Sequence, residues 1–326
     1  MIGQIVQEWL PQPDNARNTE GSFVTLRDGR VLFIYTRFGA TGGDGGAADL
    51  VARTSSDGGQ TWSADRVVLR NDARNVMSVS LLRLADGRIG MVYLRKEGDD
   101  FCMPLWRVSE DDGETFSPPT AMIRLAAYYV GNNDRLIQLR SGRLVMPVSH
   151  HRVRPTLGSR AAGRDHHFAR RALVFFLLSD DAGQSWVESS DALYAHGYNG
   201  DGLQEPGVVE LASGELWSYS RPSATYADGR QWESFSRDGG DNWTPVRRSQ
   251  FFSPCSPMSV KRLANGHLLA IWNDHSGRFA TAPVEGSWGR TPLVSAISRD
   301  EGESWTQHTL LETEPRHGYC YTAIHQ

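Results

Sequence analysis

The sequence predicts an all-β fold, a six-bladed β-propeller made of four-stranded antiparallel blades. The main observation is the phrase Ser-x-Asp-x-Gly-x-x-(Trp/Phe), which starts at Ser55, Ser109, Ser179, Ser236 and Ser298. Neighbouring copies begin between 54 and 70 residues apart. A period of that size, carried by turn residues and an aromatic, is typical of a repeated β unit. We therefore expect one domain over residues 1–326.

A second motif precedes each copy of the Ser-x-Asp motif. It consists of an apolar residue, one or two polar residues, a glycine and an apolar run. Its glycines are Gly29, Gly87, Gly142, Gly214 and Gly266. Asp-Gly, Ser-Gly or Asn-Gly between apolar runs indicates a hairpin, because glycine adopts the positive φ of a tight turn. Each blade is therefore expected to begin with a strand, a turn and a returning strand.

Chain direction then separates two faces of the predicted fold. The Ser-x-Asp motifs and the glycine turns share one face. The starts of first strands and the ends of second strands share the other, which we call the mouth face. The motif Ser and Asp are expected to cap turns through side-chain hydrogen bonds, and the aromatic is expected to pack between sheets. These aspartates are therefore interpreted as structural.

Polar side chains recur on the mouth face, where a ligand site is expected. Arg37, Arg95, His150 and Asp274 lie eight residues after their glycines, and Arg221 lies seven after Gly214. The further positions predicted there from strand starts and loops are Glu20, Asn133, Asp134, Glu205 and His275. The segment from His150 to Arg171 is expected to form a basic lid over an anionic glycan.

Composition and charge limit the kinds of partner that the protein is expected to bind. Net charge is −4 and the isoelectric point is about 6.2, which argues against nucleic acid or a membrane surface as a partner. Three widely spaced cysteines make no metal-ligand or disulfide pattern, and no metal or other cofactor is expected. The chain has no apolar run long enough to span a membrane and no visible signal peptide. We expect a cytoplasmic protein, or a secreted one if a leader was removed. The oligomeric state is left open.

The repeated motif resembles the Asp-box of the sialidase (neuraminidase) superfamily, and five copies in register cover nearly the whole chain. The resemblance implies a retaining glycosidase that needs no cofactor. In that family a Tyr nucleophile works with a Glu, an Asp serves as acid/base, and an arginine triad binds the sugar carboxylate. A neutral phenol avoids the repulsion that a carboxylate nucleophile would meet from an anionic sugar, and retaining sialidases are known exceptions of this kind.

The resemblance assigns three catalytic residues. Glu205 in QEPGVVEL matches the Glu that assists the tyrosine. Tyr321 in YCYTAI resembles the nucleophile, with Tyr319 as the alternative. Asp44, in a glycine-rich loop before the first motif, resembles the acid/base residue, with Asp49 as its competitor.

Arg221 and Arg290 match two members of the arginine triad, and Arg37 matches a further sugar-binding arginine. The first triad position departs from the family, since Thr19 stands there and Glu20 adds a carboxylate beside it. Arg17 is near in sequence but out of register. This departure weakens the case for sialic acid itself and favours another acidic sugar, or a neutral one.

We therefore predict an exo-acting hydrolase that removes a terminal acidic sugar, sialic acid or a relative, from a glycan. Two alternatives stay open: a glycan-binding propeller without turnover, and a hydrolase or lyase for a uronic or neutral sugar. Residues 319–326 are expected to be the first strand of the sixth blade. The segment IVQEWL would be its fourth strand, and the middle two strands would be absent from this chain.

Overall fold

The computed structural model describes residues 4–155, 166–195, 202–223, 229–279, 284 and 286–326. Within these residues the fold is all-β, as the sequence predicts, and no helix is long and apolar enough to cross a membrane. The strands follow one another in five repeats. Repeat one contains β1 (Asn18–Thr25), β2 (Val31–Phe38), β3 (Ala48–Ser55) and β4 (Arg66–Leu69). Repeat two contains β5 (Asn75–Arg83), β6 (Ile89–Lys96), β7 (Cys102–Ser109) and β8 (Thr120–Ala121).

The short strand β9 (Tyr128–Val130) lies between repeats two and three. Repeat three contains β10 (Ile137–Gln138), β11 (Leu144–Pro155), β12 (His166–Ser179) and β13 (Val187–Glu188). Repeat four contains β14 (Leu203–Glu210), β15 (Leu216–Pro222), β16 (Arg230–Ser236) and β17 (Arg247–Phe252). Repeat five contains β18 (Ser259–Arg262), β19 (Leu268–Asn273), β20 (Leu293–Ser298) and β21 (Thr306–Glu312).

Within each repeat, sequential strands pair antiparallel. Repeats one and five each form a four-stranded sheet, and the strands between them join into a 13-stranded sheet. The joins are small: Cys102 pairs with Tyr128 in parallel, and Ala172 pairs with Leu203. Backbone pairing in the described residues does not close the sheets into a ring, so the six-bladed arrangement stays a prediction.

The hairpin turns form at the expected glycines. In repeat one the Leu26 amide donates to the Arg30 carbonyl at 2.7 Å, and the Gly29 amide donates to the Leu26 carbonyl at 3.0 Å. Gly29 has φ +86° and the four equivalent glycines have φ between +86° and +95°. A side chain at that φ would clash with its own backbone, which is why glycine recurs here.

Each Ser-x-Asp motif closes the turn after a third strand with the same hydrogen bonds. In the third copy, the Ser179 hydroxyl donates to Asp181 Oδ1 and accepts from the Gly183 amide, both at 2.8 Å. The Ser185 amide donates to Asp181 Oδ1 at 2.9 Å. These bonds, with the Ser185 hydroxyl bond first among them, lower the pKa of Asp181 to about 2. The motif aspartates are thus held in turns, as predicted.

The hydrophobic core lies between successive repeats and is divided into four clusters. Leu32 and Ile34 of repeat one pack with Ile89 and Met91 of repeat two, for example. The other clusters join repeats two and three, three and four, and four and five. In the described residues, the core clusters therefore form between neighbouring repeats, and burial of apolar surface is the main favourable term in stability.

The sixth-blade prediction is wrong in its secondary structure. Neither residues 4–11 nor residues 319–326 form a strand. Trp9 instead stacks on Phe33 and Tyr35 of repeat one, with ring centroids 5.6 and 5.5 Å apart. Residues 319–326, here called the C-terminal segment, are held largely by side chains that reach its backbone. Such bonds replace the ladder that a neighbouring strand would supply.

Candidate active site

The first strands of three repeats are bulged near the mouth face. Their pairing registers shift between Thr19 and Ser22, between Met77 and Ser80, and between Gln204 and Pro206. The residues at these bulges have left-handed backbones: Glu20 (φ +53°), Ser78 (φ +59°) and Glu205 (φ +44°). Tyr321 of the C-terminal segment has φ +59°. A left-handed backbone is uncommon for a non-glycine residue.

These four residues meet in pairs. The Tyr321 hydroxyl donates a hydrogen bond to Glu205 Oε1 at 3.2 Å, and the Ser78 hydroxyl donates one to Glu20 Oε2. Burial raises the pKa of Tyr321 above its ordinary range, and the charge of Glu205 raises it further. The phenol is therefore neutral at neutral pH, with a carboxylate in position to take its proton.

Arg221 holds Glu205 from the other side. Its Nη1 lies 3.0 Å from Glu205 Oε2, while its Nε and Nη2 donate to Gln204 Oε1 at 3.0 and 2.7 Å. Burial acts most strongly and lowers the pKa of Arg221, but Glu205, Tyr321 and Cys255 together outweigh that effect and the net shift is upward. A permanently charged Arg221 fixes the orientation of Glu205 and keeps positive charge beside the phenol.

Arg290 lies over the ring of Tyr321, with Cζ 5.5 Å from the ring centroid. Its Nε donates to the Cys255 carbonyl at 3.3 Å and its Nη1 donates to Cys320 Sγ at 3.1 Å. Within the described residues no carboxylate forms an ion pair with Arg290. A half-buried guanidinium with only neutral partners can bind an anionic group of a ligand.

Glu20 and Asp44 share one cation, Arg17. Arg17 Nη1 lies 2.8 Å from Asp44 Oδ1, and Nη2 lies 3.3 Å from Glu20 Oε1. Burial raises the pKa of Glu20 to about 7, although Ser78 and Arg17 act to lower it. The Asp44 side chain is 71% exposed, whereas Glu20 is 6% exposed as a residue. Asp44 is thus open to a ligand or to water, and Glu20 is enclosed.

Arg37, Arg95 and His150 are not brought to this cluster by any contact among the described residues. Arg37 lies 3.4 Å from Asp14 and 3.7 Å from Asp65, and Arg95 pairs with Asp72 at 3.0 Å. The His150 ring packs on Tyr129, with centroids 5.2 Å apart. Each of the three side chains contacts its own repeat or a neighbouring segment, and its role in sugar binding stays a prediction.

Asn133 and Asp134 bind the protein itself. Asn133 Nδ2 donates to the Gly21 carbonyl at 2.7 Å and to the Tyr321 carbonyl at 3.1 Å. Asp134 is 3.1 Å from Lys261 Nζ and accepts from the Ile324 amide at 3.0 Å. Both residues hold the C-terminal segment in place, and so position Tyr321 rather than offering free groups to a sugar.

Asp274, His275 and Tyr319 also lie in supporting contacts. Asp274 Oδ1 accepts from the Ser276 amide at 2.9 Å, and His275 Nε2 lies 2.8 Å from the Gly289 carbonyl in the loop before Arg290. The Tyr319 amide donates to the Arg290 carbonyl at 2.8 Å. The competitor Asp49 accepts from the Asn71 amide at 2.8 Å. Part of the predicted lid, residues 156–165, lies outside the described residues.

Sequence reasoning assigned no role to three residues at this site: Arg17, Ser78 and Lys96. Lys96 is buried, and its Nζ lies 3.3 Å from the Asp44 carbonyl and 5.3 Å from the Tyr128 ring centroid. Ser78 could have been found, because it lies nine residues before Gly87, as Glu20 and Glu205 do before their glycines. No group of three or more His, Cys, Asp or Glu residues in the described part could hold a metal ion.

The fold and the site together define an all-β repeat protein with a phenol, carboxylates and guanidinium groups at one cluster. The family model of the BNR repeat-like domain matches residues 33–326, so the chain belongs to that family. With its structural neighbours, this confirms the predicted sialidase-like superfamily. A comparison with curated protein sequences found no significant match.

Solved structures share the fold at low identity. A protein of unknown function from Dyadobacter fermentans has a TM-score of 0.70 at 17% identity, covering 93% of this chain and 85% of its own. The Hadza microbial sialidase Hz136 has a TM-score of 0.69 at 18% identity, and the match covers 92% of this chain and 60% of the sialidase chain. The leech intramolecular trans-sialidase, complexed with 2,7-anhydro-Neu5Ac, has a TM-score of 0.68 at 14% identity, and the match covers 99% of this chain and 65% of the trans-sialidase chain. The chain thus spans less than two thirds of the length of these two enzymes.

Proposed function

We propose that this protein is an exo-acting, retaining glycoside hydrolase that removes a terminal acidic sugar from a glycan. The observation that carries the proposal is the hydrogen bond from the Tyr321 hydroxyl to Glu205 Oε1, with Arg221 on the other carboxylate oxygen. The low-identity likeness to two sialidases supports the fold only. We also propose that the five repeats surround one axis, with the chain ends, which form no strand, in the place of the sixth blade of a propeller.

The chemistry requires Tyr321 as nucleophile and Glu205 as its base. A phenol with a pKa near 10 or above attacks poorly, so proton transfer to a carboxylate within hydrogen-bond distance is needed as the bond forms. The Tyr321 oxygen would form a bond to the anomeric carbon while its proton passes to Glu205. The positive charges of Arg221 and Arg290 stabilise the phenolate character that develops.

Asp44 would supply the other proton. As a carboxylic acid it would protonate the glycosidic oxygen as that bond breaks, and the aglycone would leave as an alcohol. Asp44, now a carboxylate, would then take a proton from water. The water oxygen would replace Tyr321 on the anomeric carbon, and Glu205 would return its proton to the phenolate. The exposure of Asp44 supports a role on the leaving-group side.

A panel of aryl glycosides tests the proposal: a sialic acid, other nonulosonic acids, uronic acids and neutral sugars. Release of phenol from an acidic glycoside, with retention observed by NMR of the first product, is the expected result. Release only from neutral glycosides would contradict the acidic-sugar assignment. No release from any of them would contradict the hydrolase.

A glycan-binding protein without turnover is the second candidate. It is favoured by one observation: the carboxyl of Glu20 lies at the first strand of repeat one, where the resemblance implies a carboxylate-binding arginine. Binding to a glycan array, with no product from the aryl panel at high enzyme concentration, would support this candidate. Turnover that depends on Tyr321 would exclude it.

A further inference from the structure

Asp44 lies in a loop that consists mostly of glycine. Residues 39–47, here called the Asp44 loop, join β2 to β3, and five of these nine residues are glycine. Glycine loses more conformational freedom on folding than any other residue, so a loop of this composition has little preference of its own for one shape. The Asp44 side chain is largely exposed and is paired with Arg17 at 2.8 Å. The position of its carboxyl group therefore depends on what holds the backbone of the loop.

Asn75, the first residue of β5 in repeat two, reaches this backbone. Its Nδ2 donates to the Asp44 carbonyl and to the Gly46 carbonyl, both at 3.1 Å. The side chain of Asn75 is buried, so these bonds are formed away from competing water. A single amide group of repeat two thus fixes two carbonyls of a loop in repeat one.

Lys96 reinforces the contact at Asp44. It lies opposite Asn75 in the antiparallel pair of β5 and β6. Its Nζ donates to the Asp44 carbonyl at 3.3 Å, so that one oxygen accepts from an amide and from an ammonium group. A hydrogen bond from a charged donor is stronger than one between neutral groups. The backbone of Asp44 is thus held by two neighbouring side chains of repeat two.

Two arginines bind further carbonyls of the Asp44 loop. Arg74 Nε donates to the Gly45 carbonyl at 3.2 Å, and Arg17 Nη1 donates to the Gly42 carbonyl at 3.1 Å. The remaining carbonyl, that of Gly43, accepts from a loop amide at 2.7 Å. Every carbonyl from residue 42 to residue 46 therefore accepts a hydrogen bond. The shape of the loop is set by side chains from outside it.

We propose that Asn75 is a positioning residue for the acid/base step: together with Lys96 it fixes the Asp44 backbone, so that the Asp44 carboxyl is directed at the leaving-group oxygen. This inference rests on the proposed function, since it concerns the proposed acid. Asn75 acts through Asp44 and is not assigned a contact with the sugar. Its loss should therefore slow the cleavage of poor leaving groups, which need a proton, more than that of good ones.

Asn75→Ala removes both hydrogen bonds of the amide. The probes are the phenyl and the 4-nitrophenyl glycosides of N-acetylneuraminic, glucuronic and galacturonic acid. For the acid that is cleaved, kcat/KM of the phenyl glycoside should fall by about 10-fold to 100-fold, which is the loss that a displacement of about 1 Å can cause. The 4-nitrophenyl glycoside, whose leaving group departs without a proton, should lose less than about threefold.

Lys96→Met is a second variant aimed at the same carbonyl. It removes the ammonium donor and keeps an apolar side chain in its place. The loss in kcat/KM should again be larger for the phenyl glycoside than for the 4-nitrophenyl glycoside. This variant carries the test if Asn75→Ala does not fold, and an equal loss for both glycosides would overturn the proposal.

A double-mutant cycle with Asp44→Asn separates positioning from a general structural effect. If Asn75 acts through Asp44, adding Asn75→Ala to Asp44→Asn should lower kcat/KM of the phenyl glycoside by less than about twofold. Independent effects would multiply and give a further loss of about tenfold or more. That result would overturn the proposal.

Gln231→Ala is the matched control. Gln231 is a buried amide of repeat four whose Nε2 also donates two hydrogen bonds, to the Ser253 hydroxyl and to the Ser256 carbonyl, both at 2.8 Å. Its removal should lower Tm, as Asn75→Ala does, without changing the ratio of kcat/KM between the phenyl and 4-nitrophenyl glycosides. An equal change of that ratio in the two variants would contradict a specific role for Asn75.

Hydrogen exchange measured by mass spectrometry tests the loop without any substrate. Asn75→Ala should increase exchange over residues 42–46, and unchanged exchange there would overturn the proposal. Turnover that keeps the wild-type leaving-group dependence in Asn75→Ala would retain the hydrolase and exclude the positioning role. No turnover by the wild-type protein would exclude both, and the two failures are therefore distinguishable.

Discussion

The Tyr321 hydroxyl donates to Glu205 Oε1 across 116 positions of sequence, and both residues have left-handed backbones. One comes from the bulged first strand of repeat four, and the other from a segment that pairs with no strand. Their meeting joins distant parts of the chain through side chains alone. A precise contact held by supporting groups is what a reacting pair requires.

In the proposed mechanism Tyr321→Phe removes the attacking oxygen and Glu205→Gln removes its base, so each variant should lower kcat by a factor of about 10² to 10⁴. Binding of a non-hydrolysable ligand should change little. Steady-state kinetics and calorimetry measure the two effects separately. Glu233→Gln is the matched control, since it also removes a carboxylate paired with an arginine. Near wild-type rates in either variant would show that the nucleophile pair is wrongly assigned.

Asp44→Asn should slow glycosides with poor leaving groups by about 10²-fold or more, and those with good leaving groups far less. The reason is that a good leaving group departs without being protonated. A series of aryl glycosides with different phenol pKa values measures this dependence. Asp49→Asn is the control, because Asp49 is bound to the Asn71 amide. An equal loss across the series would contradict an acid role for Asp44.

Asp134→Asn should loosen the C-terminal segment, because the ion pair with Lys261 is lost and the acceptor of the Ile324 amide is weakened. Loss of a charged, largely buried hydrogen-bonding partner costs about 1–3 kcal/mol. Hydrogen exchange measured by mass spectrometry should increase over residues 319–326, and kcat should fall with it. Unchanged exchange there would mean that other contacts suffice to anchor Tyr321.

Acid should destabilise the fold through the motif aspartates. The pKa values of Asp111, Asp181 and Asp238 are lowered to about 2, by hydrogen bonds from their own turns that outweigh desolvation. Their stabilising effect is present above the unfolded pKa of about 4 and is lost as pH falls towards 2. The Tm measured between pH 6 and pH 2.5 should therefore fall.

Asp181→Asn should lower Tm at pH 6, since it weakens several turn hydrogen bonds worth about 1 kcal/mol in total. The variant should also show a smaller fall in Tm between pH 6 and pH 2.5 than the wild type. Asp191→Asn, which alters an aspartate outside the repeated motif, gives the comparison. A variant that keeps the full acid dependence would show that Asp181 does not contribute to it.

The repeat could be predicted from the sequence because the conformation of a turn depends on the few residues within it. Gly29 and its equivalents have the expected positive φ, and the motif aspartates have the expected bonds. The orientation of side chains on the mouth face was harder to predict, because successive residues of a strand point to opposite sides and an error of one position reverses the orientation. Thr36, not Arg37, is buried on β2, and Lys96, not Arg95, is buried on β6. Residues eight positions after the glycine in these repeats lie on the opposite side of the strand.

The bulges could not be predicted from the repeat period. A bulge adds a residue and redirects a side chain, and its position depends on packing between strands. Ser78 and Glu20 meet because both strands are bulged at the same level. Arg17 precedes β1 and lies outside the repeat pattern, so no spacing rule points to it. The resemblance led to Tyr321, but not to the side chains that hold it.

The C-terminal segment lies beyond all five repeats in chain order, so ribosomal synthesis makes every repeat before it makes Tyr321. The anchors Asn133, which precedes repeat three, and Lys261, in repeat five, are already translated when the segment arrives. The segment therefore docks onto anchors that lie in parts of the chain made before it. The contact between Tyr321 and Glu205 forms only when that docking is complete.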